Sequence, residues 1–334
     1  TGAVSYDPHS TARAGVVLPP SPQVRLVPRT PSATARSWPV DLPESGSWKV
    51  TGAAGSGVSS FLIDTVIHAL DRAQETGADP SGILVIAPSK ESGARLRREL
   101  SERLENYAAQ TSMVRSVHSL AFALLRTAAE EELRLITGAE QDAVIRELLI
   151  GQAEDGHGSW PEEMRPALEY VGFARQLRDF LLRSIERGLG PGDLERLGHE
   201  YGRPMWSAAG EFLREYEHVQ LLSRSHSYSA AELVTAVLQR PELLRDHPFH
   251  TIVVDDAQLL DPTAGKLILG LAAQANLVVV GGDTAQSVFA FRGASSRFLQ
   301  DFPAEHDIEL TESYRRPTPA CISIVDLSLI HISE

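Results

Sequence analysis

The sequence predicts an α/β protein in which a parallel sheet is interrupted by a large, all-helical insertion. Three observations carry that reading. First, Ile83-Leu84-Val85-Ile86-Ala87, Thr251-Ile252-Val253-Val254 and Asn276-Leu277-Val278-Val279-Val280 are short apolar runs rich in β-branched residues. Unbroken hydrophobicity of this kind marks strands buried on both faces. Second, the stretch from about Ala121 to Leu244 has helical pattern almost throughout, broken only at Gly156-His157-Gly158, Gly190-Pro191-Gly192 and Gly202-Arg203-Pro204. Third, two of the runs end in carboxylates, Asp255-Asp256 and Asp283. Open α/β sheets place their ligand sites just past the carboxyl ends of the strands.

The elements follow in order. Residues 1–45 are rich in Pro, Ser, Thr and Arg without a sustained period and read as an irregular leader, with one short strand at Val24-Arg25-Leu26-Val27. From Trp48 a strand, a Gly-rich turn and a helix from Ser59 to about Ala73 succeed one another, and Glu91 to Glu105 reads as an amphipathic, Arg-rich helix. Within the helical stretch, Leu133 to Gln141 reads as a turn and a helix start. The 334 residues are 43% apolar, enough for one large or two ordinary domains. No apolar run is long enough to span a bilayer. The single cysteine, Cys321, excludes a disulfide framework and suits a reducing cytoplasm. A net charge of −13 argues against nucleic-acid binding by bulk positive charge but leaves room for a local cationic groove. The chain starts at Thr1 without methionine or signal peptide and reads as a fragment.

Gly52-Ala53-Ala54-Gly55-Ser56-Gly57-Val58-Ser59, followed by Ser60, has the spacing of a phosphate-binding P-loop, with one exception. Glycines let backbone N–H groups face a polyphosphate, and the next helix presents its N-terminus to the anion. Ser59 stands where a hydroxyl holds Mg²⁺. Position 58 is where a lysine reaches the β- and γ-phosphates, and here it is Val58. Alone, such a turn is often only a turn. About 200 residues downstream, Val253-Val254-Asp255-Asp256 supplies the strand and carboxylates of a Walker B site. Asp255 would hold Mg²⁺ through water, and Asp256 would orient or deprotonate the attacking water.

Together these motifs resemble the UvrD/Rep-like superfamily 1 DNA helicases. Asp255-Asp256-Ala257-Gln258 is similar to the family's Asp-Glu-x-Gln-Asp motif. The run from Gly282-Asp283 through Gln286-Ser287 and Phe289 to Phe291-Arg292-Gly293-Ala294 is similar to its long Gly-Asp-x-x-Gln-Ser motif. Val114 to Ala121 resembles the Thr-x-His-Ser motif, Leu310 to Arg316 the Asn-Tyr-Arg-Ser motif, and Leu84 to Leu100 the intervening DNA-contacting motif. The likeness runs from about residue 48 to 320 in family order. It implies a RecA-like ATP-binding domain made of 46–122 and 245–316, a helical insertion subdomain at 123–244, and the start of a second motor domain at 317–326. Residues 327–334 read as translated sequencing adapter and are set aside.

The resemblance also implies roles. Gln286 would sense the γ-phosphate, Arg315 would act like an arginine finger, and Tyr314 would stack on adenine. Phe291 and Arg292 would form a platform for a single-stranded base, with Arg115 and His118 on the DNA side. Taken singly, His118 and Phe291 read as core residues and Arg315 as a surface cation; the ordered set carries the assignment. Arg175, Arg178, Arg183 and Arg187 recur at helical spacing, either as a DNA-facing stripe or as a solvated charged face.

Three departures stand out: Val58, the shorter Asp256 in place of glutamate, and no recognisable adenine-reading glutamine motif before Trp48. They resemble the weaker motor subunit of AdnAB-type helicase–nucleases. The leading expectation is the N-terminal part of an ATP- and Mg²⁺-dependent 3′–5′ DNA helicase subunit acting in repair or recombination. It would act on single-stranded DNA and duplex junctions or ends, possess a second helicase–nuclease subunit as partner, and contact no membrane. The competing expectation is a vestigial, non-hydrolysing scaffold that binds DNA and a partner. A small-molecule kinase is disfavoured by the DNA-side motifs around His118 and Phe291.

Overall fold

The structure, a computed structural model, describes residues 37–104, 113–129, 132–223 and 227–313. The expected strand at Val24–Val27, the stretch 317–334, Cys321, Tyr314 and Arg315 lie outside the described residues. The chain divides into two units between Pro39 and Val40, and all secondary-structure elements of the described residues lie in the second.

The first part of that unit alternates strands and helices: β1 (Gly46–Gly52), α1 (Val58–Thr76), β2 (Ile83–Ile86), α2 (Lys90–Arg103), β3 (Val114–Arg115) and α3 (Val117–Ala128). A second part is mostly helical: β4 (Arg134–Leu135), α4 (Gly138–Asp155), α5 (Val171–Glu186), α6 (Pro191–Glu200), α7 (Pro204–Ser223), β5 (Ser227–Tyr228), α8 (Ala230–Leu238) and α9 (Pro241–Arg245). Strands then return with β6 (Thr251–Val254), α10 (Pro262–Ala272), β7 (Leu277–Gly282), α11 (Arg297–Gln300) and β8 (His306–Leu310). Six strands form one sheet in the order β3-β2-β6-β7-β1-β8, every neighbouring pair parallel. The expected α/β fold with a parallel sheet and a helix-rich segment is what the chain adopts.

The sheet is covered on both sides, which is why β2, β6 and β7 are apolar without alternation. Leu84, Ile86, Ile252, Val254, Val278 and Val280 pack into one core with α3, α8, α10 and α11. Helix α1 lies against β2, β6 and β7 and buries Phe61, Leu62, Val66 and Leu70. Local chemistry sets the helix ends. Gly77 stops α1 in the left-handed conformation, its N–H on Ala73 O. Reciprocal capping boxes start α2 at Ser89–Ser92 and α4 at Thr137–Glu140. Of the three glycine-bearing breaks read from the sequence, Gly156–Gly158 follows α4, Gly190–Gly192 starts α6, and Gly202–Pro204 separates α6 from α7.

Helices α4 to α7 enclose a separate apolar cluster, including Leu149, Trp160, Leu177, Phe212 and Leu213. Trp160 Nε1 donates to Gln152 Oε1 at 2.6 Å inside it. The cluster is joined to the sheet side where Thr263 Oγ1, at the start of α10, donates to Glu186 O at 2.7 Å and Ile185 O at 3.0 Å. The short pair β4 and β5, in register Arg134↔Ser227 and Leu135↔Tyr228, was not anticipated. Two-residue strands carry too little period to be read from sequence.

Phe212 is fully buried whereas Leu222 is 74% exposed, which separates packing from composition. Phe212→Ala is expected to cost about 3–5 kcal/mol and Leu222→Ala less than about 0.5 kcal/mol, read from urea unfolding midpoints. Equal midpoints for the two variants would contradict this packing.

Candidate functional site

Because all six strands point the same way, their carboxyl ends share one edge, where Gly52 ends β1 and Asp255 and Asp283 follow β6 and β7. The loop after β1 closes through Ser56 N donating to Ala53 O at 2.9 Å. Gly55 (φ 85°) and Gly57 (φ 103°) hold left-handed conformations that a side chain resists. Gly57 is also the N-cap of α1, with no side chain capping the first turn and no acidic residue in it. The leading N–H donors of a 19-residue helix are therefore open to another acceptor. Val58 opens that helix but turns inward: a β-carbon on Gly281 would sit 2.8 Å from Val58 Cγ1.

Ser59 Oγ donates to Asp255 Oδ1 at 3.0 Å, joining the start of α1 to the end of β6. Asp255 is only 1% exposed. Burial, and then the adjacent Asp256 charge, push its carboxyl up to about 6, against the opposing pull of Ser59 and Arg95. Asp256 has φ 49°, the one positive φ of a non-glycine among the described residues. Strain of that kind persists where surrounding contacts over-determine it. Gln258 is one such contact. It is buried, its Nε2 lies 3.5 Å from Asp256 Oδ1, and its Oε1 accepts from Asp283 N at 3.2 Å. Asp283 in turn accepts from Gln286 Nε2 at 2.8 Å. Ser313 Oγ donates to Ala54 O at 2.7 Å, bringing the chain that leaves β8 against the glycine loop.

The expected residues thus fall into groups. Gly52 to Ser59, Asp255 and Asp256 meet at one point, and Gln258 links them to Asp283 and Gln286. Ser60 continues α1. His118 lies on α3, half-buried, its imidazole held below the ordinary range by burial, with the Asp261 charge opposing. Arg115, on β3, lines a cavity of about 400 Å³ with Leu70, Leu84, His247 and Phe249. Phe291 is 71% exposed, and its ring lies 6.1 Å from that of Phe289 at 57°. Arg292 closes the short 3-10 turn Ala290–Arg292. Gly293 (φ 87°) sets this loop against α5, where a β-carbon would approach Glu186 Oε2 to 2.6 Å. The arginine stripe of α5 is engaged within the protein: Arg178 bonds Asp142 and Asp179, each at 2.8 Å, Arg175 lies 3.8 Å from Asp142, and Arg183 pairs with Glu186.

Sequence reasoning missed Arg95. From the second turn of α2 its Nη2 reaches Asp255 Oδ2 at 3.2 Å, Ser59 Oγ at 3.4 Å and Asp256 Oδ2 at 3.8 Å. It falls inside the Leu84–Leu100 stretch read as DNA-contacting, and nothing local in that stretch points it to Asp255, 160 positions away. Gln258 was visible in its motif, but its bridging role needed the fold.

The strand order, the loop ahead of α1 and the carboxylates after β6 define a RecA-like α/β fold. The profile of the UvrD/REP helicase N-terminal domain matches residues 35–307, and the chain belongs to that family. It is similar to the Bacillus subtilis protein YjcD, 26% identical over 297 residues covering 82% of this chain and 35% of the relative. It is also similar to DNA helicase II of Escherichia coli, 24% identical over 80% of this chain and 36% of the relative. ATP-dependent DNA helicase PcrA of Staphylococcus aureus is 24% identical over 81% of this chain and 36% of its own length. The chain spans about a third of the length of these relatives. Among the described residues, no helix is long and apolar enough to cross a membrane.

The family implies nucleotide use, typically with Mg²⁺, and the residues present fit both. The glycine loop offers backbone donors, and Ser56 Oγ is buried in it without a hydrogen-bond partner among the described residues. Ser59 and Asp255 are oxygen donors of the kind Mg²⁺ selects.

Two predictions follow from this geometry. Asp255 titrates near 6 when folded against an ordinary 3.8, so its contribution to stability is full below about pH 4 and lost as pH rises through 6. Asp255→Asn should make the fall of stability between pH 4 and 6 shallower and raise stability at pH 7 by up to roughly 3 kcal/mol, measured by urea unfolding. A slope from about pH 4.5 to 7 should remain, because burial also raises Glu186 from 4.5 to about 7. Gly282→Ala would drive a methyl group into Gln258 Oε1 and to 2.9 Å from Leu299 Cδ2. A loss of roughly 1–3 kcal/mol is expected in the same assay; an unchanged midpoint would contradict the Gln258 bridge.

Proposed function

We propose that this chain is the nucleotide-binding, N-terminal part of an ATP-dependent 3′–5′ DNA helicase subunit that serves DNA repair or recombination. In this reading residues 46–122 and 245–316 form the ATP-binding domain and 123–244 the inserted helical subdomain. The observation that carries it is the 3.0 Å contact between Ser59 and Asp255 beneath a glycine loop at the open N-terminus of α1. Gly52 to Ser60 would cradle the phosphates, and Ser59 with Asp255 would hold Mg²⁺. Bound ATP supplies a phosphoanhydride whose hydrolysis drives movement along DNA. Asp256 and Gln286 are the residues of this chain assigned to the water and the γ-phosphate, with Arg315 and Tyr314 completing the nucleotide contacts.

Single-stranded DNA is the assigned polymer, and Phe291 with Arg292 its stacking platform, with Arg115 and His118 assigned to the same side. The exposed pair Phe289 and Phe291 supports that assignment, since unstacked bases gain most from accessible aromatic faces. Phe291→Ala should weaken binding of a fluorescent oligothymidylate by about 1–3 kcal/mol in anisotropy titrations; unchanged affinity would remove Phe291 from the platform.

One observation favours a second reading, a scaffold that binds DNA and a helicase–nuclease partner without hydrolysing ATP. Val58 packs toward Gly281 and brings no charge to the loop. Titration of labelled single-stranded DNA with and without ATP and Mg²⁺ separates the two. A nucleotide-dependent affinity supports the motor reading, and equal affinities support the scaffold.

A further inference from the structure

We propose that Arg95 is the phosphate-facing cation of this nucleotide site, supplied from α2 in place of the lysine that position 58 lacks. The inference rests on the nucleotide-site reading above and adds a residue to it. Three observations carry it. Val58 is 9% exposed and directed at β7, so the helix start contributes backbone donors but no positive charge. Lys49, on β1, is paired with Asp307 of β8 at 2.6 Å, and the ammonium of Lys266 lies beside Gly188. Among the ion-paired cations of the described residues, Arg95 is the one that reaches the Ser59–Asp255 contact.

The geometry of Arg95 suits the task. A single nitrogen, Nη2, spans the hydroxyl of Ser59 and the carboxylates of Asp255 and Asp256 at 3.4, 3.2 and 3.8 Å. The guanidinium has five N–H donors, one nitrogen makes the contacts above, and the side chain is 37% exposed. Donors therefore remain for a phosphate, which a guanidinium grips through two parallel bonds where an ammonium acts as a point charge. The charge is also permanent, since arginine stays protonated in proteins. A cation already fixed at the point where Ser59 and Asp255 meet lowers the requirement of nucleotide binding for an added divalent ion.

The test is binding of N-methylanthraniloyl-ATP to the 334-residue chain, followed by fluorescence with Mg²⁺ or with EDTA. Wild type is expected to bind under both conditions. Arg95→Ala should lose at least about tenfold affinity in EDTA, Arg95→Lys should lose less, and Val58→Lys added to Arg95→Ala should restore binding. Circular dichroism and urea midpoints confirm that each variant is folded, and rescue by Val58→Lys distinguishes a lost charge from a damaged fold. If wild type binds and a folded Arg95→Ala binds equally or more tightly, the Arg95 assignment falls while the nucleotide site stands. If neither wild type nor Val58→Lys binds nucleotide, the site reading falls and Arg95 with it.

Discussion

A carboxylate kept almost dry at the end of β6 is the constraint around which this edge of the sheet is organised. Asp255 is 1% exposed, next to a second carboxylate, in a position where burial alone would favour the neutral acid. Three kinds of contact offset that cost: the hydroxyl of Ser59, the guanidinium of Arg95, and the backbone of Asp256. Each comes from a different element. The parallel sheet makes this convergence possible, because β1 and β6 end on the same edge with only β7 between them.

The left-handed turn at Asp256 follows from the same constraint. Asp255 must leave β6 buried while Asp256 departs toward the surface, and the chain makes that change in one residue at φ 49°. Gln258 then ties Asp256 to Asp283, so the ends of β6 and β7 respond together. At Gly293 the loop that follows reaches Glu186 on α5, whose carbonyl is already held by Thr263. A continuous set of contacts therefore runs from the glycine loop through both acidic segments to the helical part. That continuity is spatial; coupling between its ends would need a two-state element biased from both.

Much of this was legible in the sequence, for identifiable reasons. Strands buried on both faces write themselves as unbroken runs of Val, Ile and Leu, so β2, β6 and β7 were placed to within a residue or two. Glycines at the breaks of the helical part are local signals, and the structure ends α4, starts α6 and ends α6 at them. What was hidden depends on partners far apart in the chain. Arg95 sits in an arginine-rich helix where nothing local separates it from its neighbours Arg97 and Arg98, yet Arg97 bonds Val114 O at 3.1 Å and only Arg95 turns to the carboxylates. The stripe on α5 showed the reverse limit. Helical spacing aligned Arg175, Arg178 and Arg183, but their acidic partners on α4 and at Glu186 were invisible to a one-helix reading.

Valine at 58 and arginine at 95 are best understood as one arrangement. A lysine at the start of α1 would bring a positive charge to the glycine loop. With valine there, a methyl group fills space beside Gly281, and the charge facing Asp255 comes from α2 on a forked side chain. On the assignment of Arg95 to the phosphates, an incoming nucleotide and Asp255 draw on the same guanidinium. The donor that stabilises the buried carboxylate is then shared with the ligand, so nucleotide affinity and the cost of keeping Asp255 charged become linked quantities. Such linkage is absent where each anion has its own cation. It makes Asp255 the residue through which occupancy of the glycine loop would be felt at Asp256, Gln258 and the strand ends beyond.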